Sequence, residues 1–318
     1  MLPLIIITGP TAAGKTAVSI RIAQALSNST NKAEIISADS RQIYRGLNIG
    51  SGKITPSEQQ GIQHHCLDIA DPLERFTSHD FKIAGLKALA EIDEHNNIPI
   101  ICGGTGFYID TLIGKMVLPN IPPTPQDFFQ KYEKTAAEQL FAELTTKDPE
   151  RAQTIDRHNA RRLIRALYMY EYQLKNPPIK NLPANSPDQT HDSTDLSKQR
   201  PIIWIGICPS STELKQRIHD RLHDRYKNGL LAEANDLINS GKITTERCKE
   251  LGLEYAYMAK IISESAQGTP REQEILAELE IKIWQYAKRQ LTWHKKNTDI
   301  VWFHPDNIDS ILKHINLA

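Results

Sequence analysis

The sequence predicts an α/β fold: a mainly parallel sheet with helices on both faces, interrupted by a helical insertion. Three observations predict it. Short β-branched runs alternate with helical patterns, at Leu4–Thr8, Glu34–Ser37, Ile98–Cys102, Ile202–Ile207 and Ile300–Phe303, as parallel strands joined by crossover helices require. The first run leads straight into Gly9-Pro10-Thr11-Ala12-Ala13-Gly14-Lys15-Thr16 and then a helical pattern from Ala17 to Leu26, the strand–turn–helix setting of a phosphate-binding loop. Between Leu118 and Arg200 the alternation stops. The expected architecture is therefore P-loop NTPase-like with an added helical domain.

In the first element, backbone N–H groups of the loop converge on an anion, the helix N-terminus adds its positive end, and Lys15 adds a full charge. Thr16 is placed to hold Mg²⁺, the expected metal cofactor. Gly9, Pro10, Thr11, Ala12, Ala13, Gly14, Lys15 and Thr16 thus bind a di- or triphosphate, and the motif does not choose between them. The second strand ends at Ser37-Ala38-Asp39-Ser40-Arg41-Gln42. Asp39 can accept a proton from a nucleophile or bind Mg²⁺ through water, or it can simply cap the turn that follows. The third strand ends at Gly103-Gly104-Thr105-Gly106, before a helix over Phe107–Ile113. Its glycines permit close approach of a ligand and Thr105 offers a hydroxyl; the bland alternative is a tight turn with a capping threonine. No acidic residue ends this strand, which speaks against an NTP-driven motor. The three ends share one crevice if their strands are neighbours.

The insertion opens with Pro119, Pro122, Pro123 and Pro125, continues with helical patterns over Gln126–Leu144 and Asn159–Lys175, and closes with a polar stretch, Asn176–Gln199. That composition reads as a long mobile strap. The expected division is a core of 1–118 and 201–318 with an insertion of 119–200 acting as a lid. Arg161, Arg162 and Arg165 fall on one side of the second helix. They can clamp an anion or track a nucleic-acid backbone, or form a solvated face paired with Glu150, Asp156 and Glu171. Beyond Ile202, Ser210-Ser211-Thr212-Glu213 reads as a capping box opening Leu214–Lys227. The last long helix, Arg271–Lys296, interleaves Lys282, Lys288, Arg289, Lys295 and Lys296 with Trp284, Tyr286 and Trp293. It resembles a backbone-tracking surface with stacking partners, although aromatics at helical spacing also build cores.

With 38 basic and 38 acidic residues in 318, no global field attracts nucleic acid, and any such binding must use a local surface. Cys66, Cys102, Cys208 and Cys248 are dispersed without a C-x-x-C pair, as in a reduced cytoplasmic protein; Cys102 and Cys208 read as core residues. His64-His65 and the other histidines are read as structural, without metal-ligand spacing. No run approaches membrane-spanning length. A monomer is expected.

Together these residues resemble the bacterial-type tRNA dimethylallyltransferase (tRNA isopentenyltransferase, or IPP transferase) family. The ordered matches run from Gly9–Thr16 through Ser37–Tyr44, Gly46–Lys53, Gly103–Gly106, Asp148-Pro149 and Arg161–Leu167 to Leu251–Tyr255 and Ala287–Trp293. The resemblance implies transfer of a dimethylallyl group from dimethylallyl diphosphate to N6 of the adenine 3′ of the anticodon, in tRNAs that read codons beginning with U. The loop would then bind diphosphate as leaving group, with Arg162 and Arg165 assisting. Asp39 would be the base, and Thr105 and Lys15 would act at the reacting centre. Asp39, Ser40, Arg41, Gln42, Thr105, Lys131, Arg161, Arg162, Arg165, Lys288 and Arg289 would meet the tRNA anticodon stem-loop. Two departures stand out: Ala13 replaces a common Ser, and Phe128-Phe129-Gln130-Lys131 replaces a stretch that often carries Arg, so that contact passes to Lys131. The rivals are a small-molecule kinase using ATP, prenylation of free AMP, and a non-catalytic nucleotide- or RNA-binding module.

Overall fold

The structure, a computed structural model, describes residues 1–119, 121–176, 195–267 and 271–317. The chain forms two compact units, Met1–Val117 with Thr194–Ala318 and Leu118–Ser193. Most of the expected strap, 177–194, lies outside the described residues. Its C-terminal end is ordered: Leu196–Lys198 form a 3₁₀ turn, Leu196 is buried, and its N–H donates to Ile113 O at 3.0 Å.

The larger unit begins β1 (Leu4–Thr8), α1 (Lys15–Leu26), β2 (Ala33–Ser37), β3 (His64–His65), α2 (Ser78–Glu94), β4 (Ile98–Gly103) and α3 (Gly106–Leu112). In the smaller unit follow α4 (Gln126–Tyr132), α5 (Ala137–Lys147), α6 (Pro149–Thr154) and α7 (Ala160–Lys175). The larger unit resumes with β5 (Ile202–Ile207), α8 (Ser211–Lys227), α9 (Leu230–Asn239), α10 (Thr245–Leu251), α11 (Leu253–Ala266), α12 (Glu272–His294), β6 (Val301–Phe303) and α13 (Ile308–Leu317). The sheet order is β3-β2-β4-β1-β5-β6, with every pairing parallel. β2, β4 and β1 are neighbours, with Ser37 opposite Cys102 and Thr8 opposite Gly103, so the three polar strand ends meet at one crest.

β1 is buried at all five residues because helices cover both faces of the sheet, and its sequence is accordingly apolar without alternation. Ile5 and Ile7 share a buried cluster with Val18, Ile22 and Ile311, whereas Leu4 and Ile6 join Phe81, Leu89 and Leu112. A third cluster, including Leu47, Ile218, Leu222, Tyr255, Leu279 and Ile283, binds α8 to α12 behind the crest. His64-His65, expected to be structural, form the short edge strand. Cys102 is buried as expected, but Cys208 is only half-buried, because it follows the last residue of β5.

In the smaller unit the helix expected over Gln126–Leu144 breaks at 133–136. The turn there brings Tyr132 into one core with Leu140, Leu144, Leu163 and Leu167. α6 starts by rule: Pro149 occupies the first turn and the Asp148 carboxylate accepts from Arg151 N–H.

Candidate active site

The loop between β1 and α1 is shaped for an anion. Gly14 caps α1 at φ 90°, a left-handed conformation natural to glycine, and Ala12 also turns left-handed at φ 63°, at a cost of about 1–2 kcal/mol. No side chain caps α1, which leaves its first-turn N–H groups to a ligand. Lys15 Nζ donates to Pro10 O at 2.7 Å. Burial pulls its ammonium down to about 8, with Arg221 adding to the shift and Cys102 and Asp39 opposing it.

Side chains from far along the chain hold this loop. Gln290 on α12 accepts from Thr11 N–H at 2.7 Å and donates to Gly104 O at 2.9 Å, bridging two of the three strand-end turns. Arg221 on α8 donates to Thr11 Oγ1 at 2.6 Å. Thr8 Oγ1 donates to Gly103 O at 3.2 Å and meets the His294 ring at 2.9 Å. Burial pulls His294 down to about 4, so the imidazole is neutral at pH 7.

Asp39 divides its two oxygens between structure and chemistry. Oδ1 accepts from Arg41 N–H at 2.8 Å and more weakly from Gln42 N–H at 3.4 Å, which is the turn-capping role. Oδ2 has no hydrogen-bond partner among the described residues, and Asp39 lines the same cavity as the loop. Thr105 stands at the N-cap of α3 without capping it; its Oγ1 instead accepts from Ser40 N–H at 3.2 Å, leaving the hydroxyl proton to donate. The neighbouring glycines admit protein, not the ligand anticipated from sequence. A Cβ on Gly104 would collide with Gln290 Nε2, and one on Gly106 with the Trp293 ring.

The cavity at this crest is about 630 Å³ and is lined by Thr11–Thr16, Asp39, Arg41, Gln42, Arg221, Arg225, Glu254, Tyr286, Arg289 and Gln290, among others. Lys15, Arg41, Arg221, Arg225 and Arg289 outnumber the acidic Asp39, Glu250 and Glu254. Arg225 pairs with Glu254 at 3.5 Å, and Glu250 is taken by Arg75 and Arg247. Burial and the charge of Arg225 pull Arg221 down to about 10. Cations crowded this way are relieved by an anion. The Thr16 hydroxyl supplies a hard oxygen donor, which suits Mg²⁺ completed by phosphate oxygens and water.

Of the basic residues on α12, Lys288 lies over the Trp284 ring and Arg289 over Tyr286, each at 5.8 Å. Lys288, Arg289, Thr292, Trp293 and Lys296 line a shallow groove of about 490 Å³. Trp284 is half-buried against the α8–α12 cluster, and Trp293 donates to Asp110 at 2.9 Å; each joins core packing to an exposed edge.

The remaining expected site residues belong to the smaller unit. Arg161 is exposed over the Phe129 ring, and Lys131 over Phe128 and Tyr132. The Arg162 guanidinium has no partner among the described residues, while Arg165 donates to Ile121 O, Pro122 O and Thr124. The alternative pairing with Glu150, Asp156 and Glu171 is not seen among the described residues: Glu171 is taken by Lys147, Arg161 and Arg162 are exposed, and Arg165 bonds backbone carbonyls.

Arg221, Arg225 and Gln290 went unassigned in the sequence. The arginines did leave a signal, since Arg217, Arg221 and Arg225 repeat every four residues along α8. Gln290 left none.

A phosphate loop and the Asp39 carboxylate, lining one cationic cavity, define a P-loop α/β transferase. The IPP transferase family model matches residues 42–297, and the isopentenyl transferase model matches 2–80. A tRNA dimethylallyltransferase 1 of Trichlorobacter lovleyi is 36% identical over 97% of this chain and 96% of its own length. The tRNA dimethylallyltransferase of Staphylococcus carnosus is 34% identical over 94% and 90%. The crystal structure of a tRNA isopentenylpyrophosphate transferase from Bacillus halodurans superposes with a TM-score of 0.67 at 29% identity, covering 100% of this chain and 96% of that one. A eukaryotic dimethylallyltransferase acting on tRNA shares the fold, with a TM-score of 0.74 at 23% identity over 100% of this chain and 77% of that chain. The chain belongs to the IPP transferase family.

Proposed function

We propose that this protein transfers the dimethylallyl group of dimethylallyl diphosphate to N6 of the adenine 3′-adjacent to the anticodon, in tRNAs reading codons that begin with U. The observation that carries the reading is Asp39, which lines the cavity that also holds the phosphate loop and whose Oδ2 has no hydrogen-bond partner among the described residues. Full-length similarity to proteins described as tRNA dimethylallyltransferases supports it and does not favour the small-molecule kinase.

The adenine amine is a weak nucleophile, because its lone pair is delocalised into the ring. As N6 bonds to the allylic carbon, the carbon–oxygen bond to diphosphate breaks and N6 becomes acidic. Asp39 Oδ2 takes the proton, and a positioned base of this kind contributes about 10²–10⁴-fold. Charge growing on the leaving diphosphate is met by the loop N–H groups, Lys15 and Arg221. When bound, Mg²⁺ held through Thr16 neutralises part of that charge. Thr105 positions the Asp39 turn through Ser40 and offers its hydroxyl to substrate. The basic groove on α12, with Ser40, Arg41, Gln42, Lys131, Arg161, Arg162 and Arg165, is assigned to the anticodon stem-loop, and an unpaired loop base can be extruded for a few kcal/mol. The protein acts as a monomer in the cytoplasm.

Release of inorganic diphosphate from dimethylallyl diphosphate tests this reading. It should require unmodified tRNA, with no phosphate released from ATP; phosphate release from ATP without tRNA would instead favour the kinase.

A further inference from the structure

Away from the crest, α8 and α12 bring together a second set of ligating groups. His219 and His223 stand one turn apart on α8, with ring centroids 4.3 Å apart and both residues exposed. Glu280 reaches them from α12, its Oε2 2.9 Å from His219 Nδ1. One donor atom from each of the three lies within 4.8 Å of the others. The sequence reading found no metal-ligand spacing among the histidines, yet i,i+4 is the helical spacing that presents two imidazoles to one ion. A tetrahedral zinc ion with bonds of about 2.0–2.1 Å needs donors about 3.4 Å apart, a contraction within reach of side-chain rotation on an exposed face.

We propose that His219, His223 and Glu280 form a divalent transition-metal site that ties α8 to α12, taking a zinc-type ion with water in the remaining position. Two imidazoles and one carboxylate suit zinc, and cobalt as its spectroscopic stand-in; they do not suit Mg²⁺, which prefers an all-oxygen shell. The site lies on the face of α8 opposite Arg221, which bonds Thr11, while α12 carries Gln290, which bonds the same residue. An ion there would brace the two helices that hold the phosphate loop without entering the cavity. The inference is independent of the transfer reaction, since it predicts binding and stabilisation whatever the substrate.

The test uses the full chain, titrated with Zn²⁺ by calorimetry and with Co²⁺ by visible absorption, alongside thermal melts. The wild type should bind one ion at this site, show the intense bands of tetrahedral Co²⁺, and melt higher with zinc. Excess Mg²⁺ should not compete. His223→Ala and the double variant His219→Ala/His223→Ala, both at exposed positions, should fold normally, bind at least about tenfold more weakly and lose the zinc-dependent rise in melting. Binding of equal affinity and stoichiometry in the double variant would overturn the proposal, as would a wild type that takes up neither ion at micromolar concentration.

Discussion

At the residue scale, Asp39 is the position on which the account depends, and its two oxygens dictate how to test it. Asp39→Ala removes the free Oδ2 but also the Oδ1 cap on Arg41 and Gln42 N–H, so it confounds chemistry with turn stability. Asp39→Asn retains a carbonyl oxygen for the cap and removes the base. Turnover of Asp39→Asn should fall by roughly 10²–10⁴ with tRNA affinity nearly unchanged; wild-type turnover in a single-turnover assay would remove Asp39 from the mechanism. Lys15 gives a second prediction. Burial pulls its ammonium down to about 8, so above that pH the amine is neutral and offers diphosphate no charge. kcat/KM for dimethylallyl diphosphate should hold below pH 8 and fall toward tenfold per pH unit beyond it, because that parameter reports groups of the free enzyme. A profile flat through about pH 9.5 would contradict the role of the Lys15 charge. Both residues were legible in the sequence because each belongs to a contiguous motif at a strand end. The roles of Arg221 and Gln290 at the loop were not, since they reach Thr11 from 210 and 279 residues away, a proximity that only the packing of α8 and α12 creates.

At the element scale, the phosphate loop depends on α12 as much as on the strand and helix that flank it. Gln290 is buried and both ends of its amide are used. Gln290→Leu keeps the bulk but leaves Thr11 N–H and Gly104 O without their partner, at about 1–3 kcal/mol for each group that stays dry. A loss of about 2–4 kcal/mol in denaturant unfolding is expected, together with a higher KM for dimethylallyl diphosphate. Unchanged stability and KM would mean the loop holds its shape alone. Strands were easier to read than helices in this chain. The buried parallel strands are continuous β-branched runs, and each expected strand is present to within a residue or so. Periodicity could not locate the break in Gln126–Leu144, because the apolar spacing carries on across a turn made for tertiary packing. The two-residue β3 went unread because two residues are too few to show a strand's alternation, even though the His65 ring also meets Glu34 on β2 at 2.6 Å.

At the scale of the whole molecule, the doubly wound order sets Ser37, Gly103 and Thr8 side by side, and this adjacency makes one site of three separate motifs. The sequence supplied the motifs and the expectation of a crevice; strand order had to come from the fold. Where the chain resumes the sheet beyond the smaller unit, Arg200 anchors it. Its guanidinium is nearly inaccessible, makes a bidentate pair with Asp93 at 2.8 and 3.0 Å, and donates to Leu2 O. Arg200→Ala should cost about 3 kcal/mol, at the lower end for a broken buried pair because Asp93 keeps some contact with water. A shift below about 0.5 kcal/mol in chemical denaturation would show that β5 docks without it. For the central claim, the most direct measurement is mass spectrometry of nucleosides from unmodified tRNA incubated with the protein, Mg²⁺ and dimethylallyl diphosphate without ATP. One five-carbon unit should be gained on the adenosine next to the anticodon. Adenosine left unmodified by an enzyme that instead cleaves the γ-phosphate of ATP would contradict it.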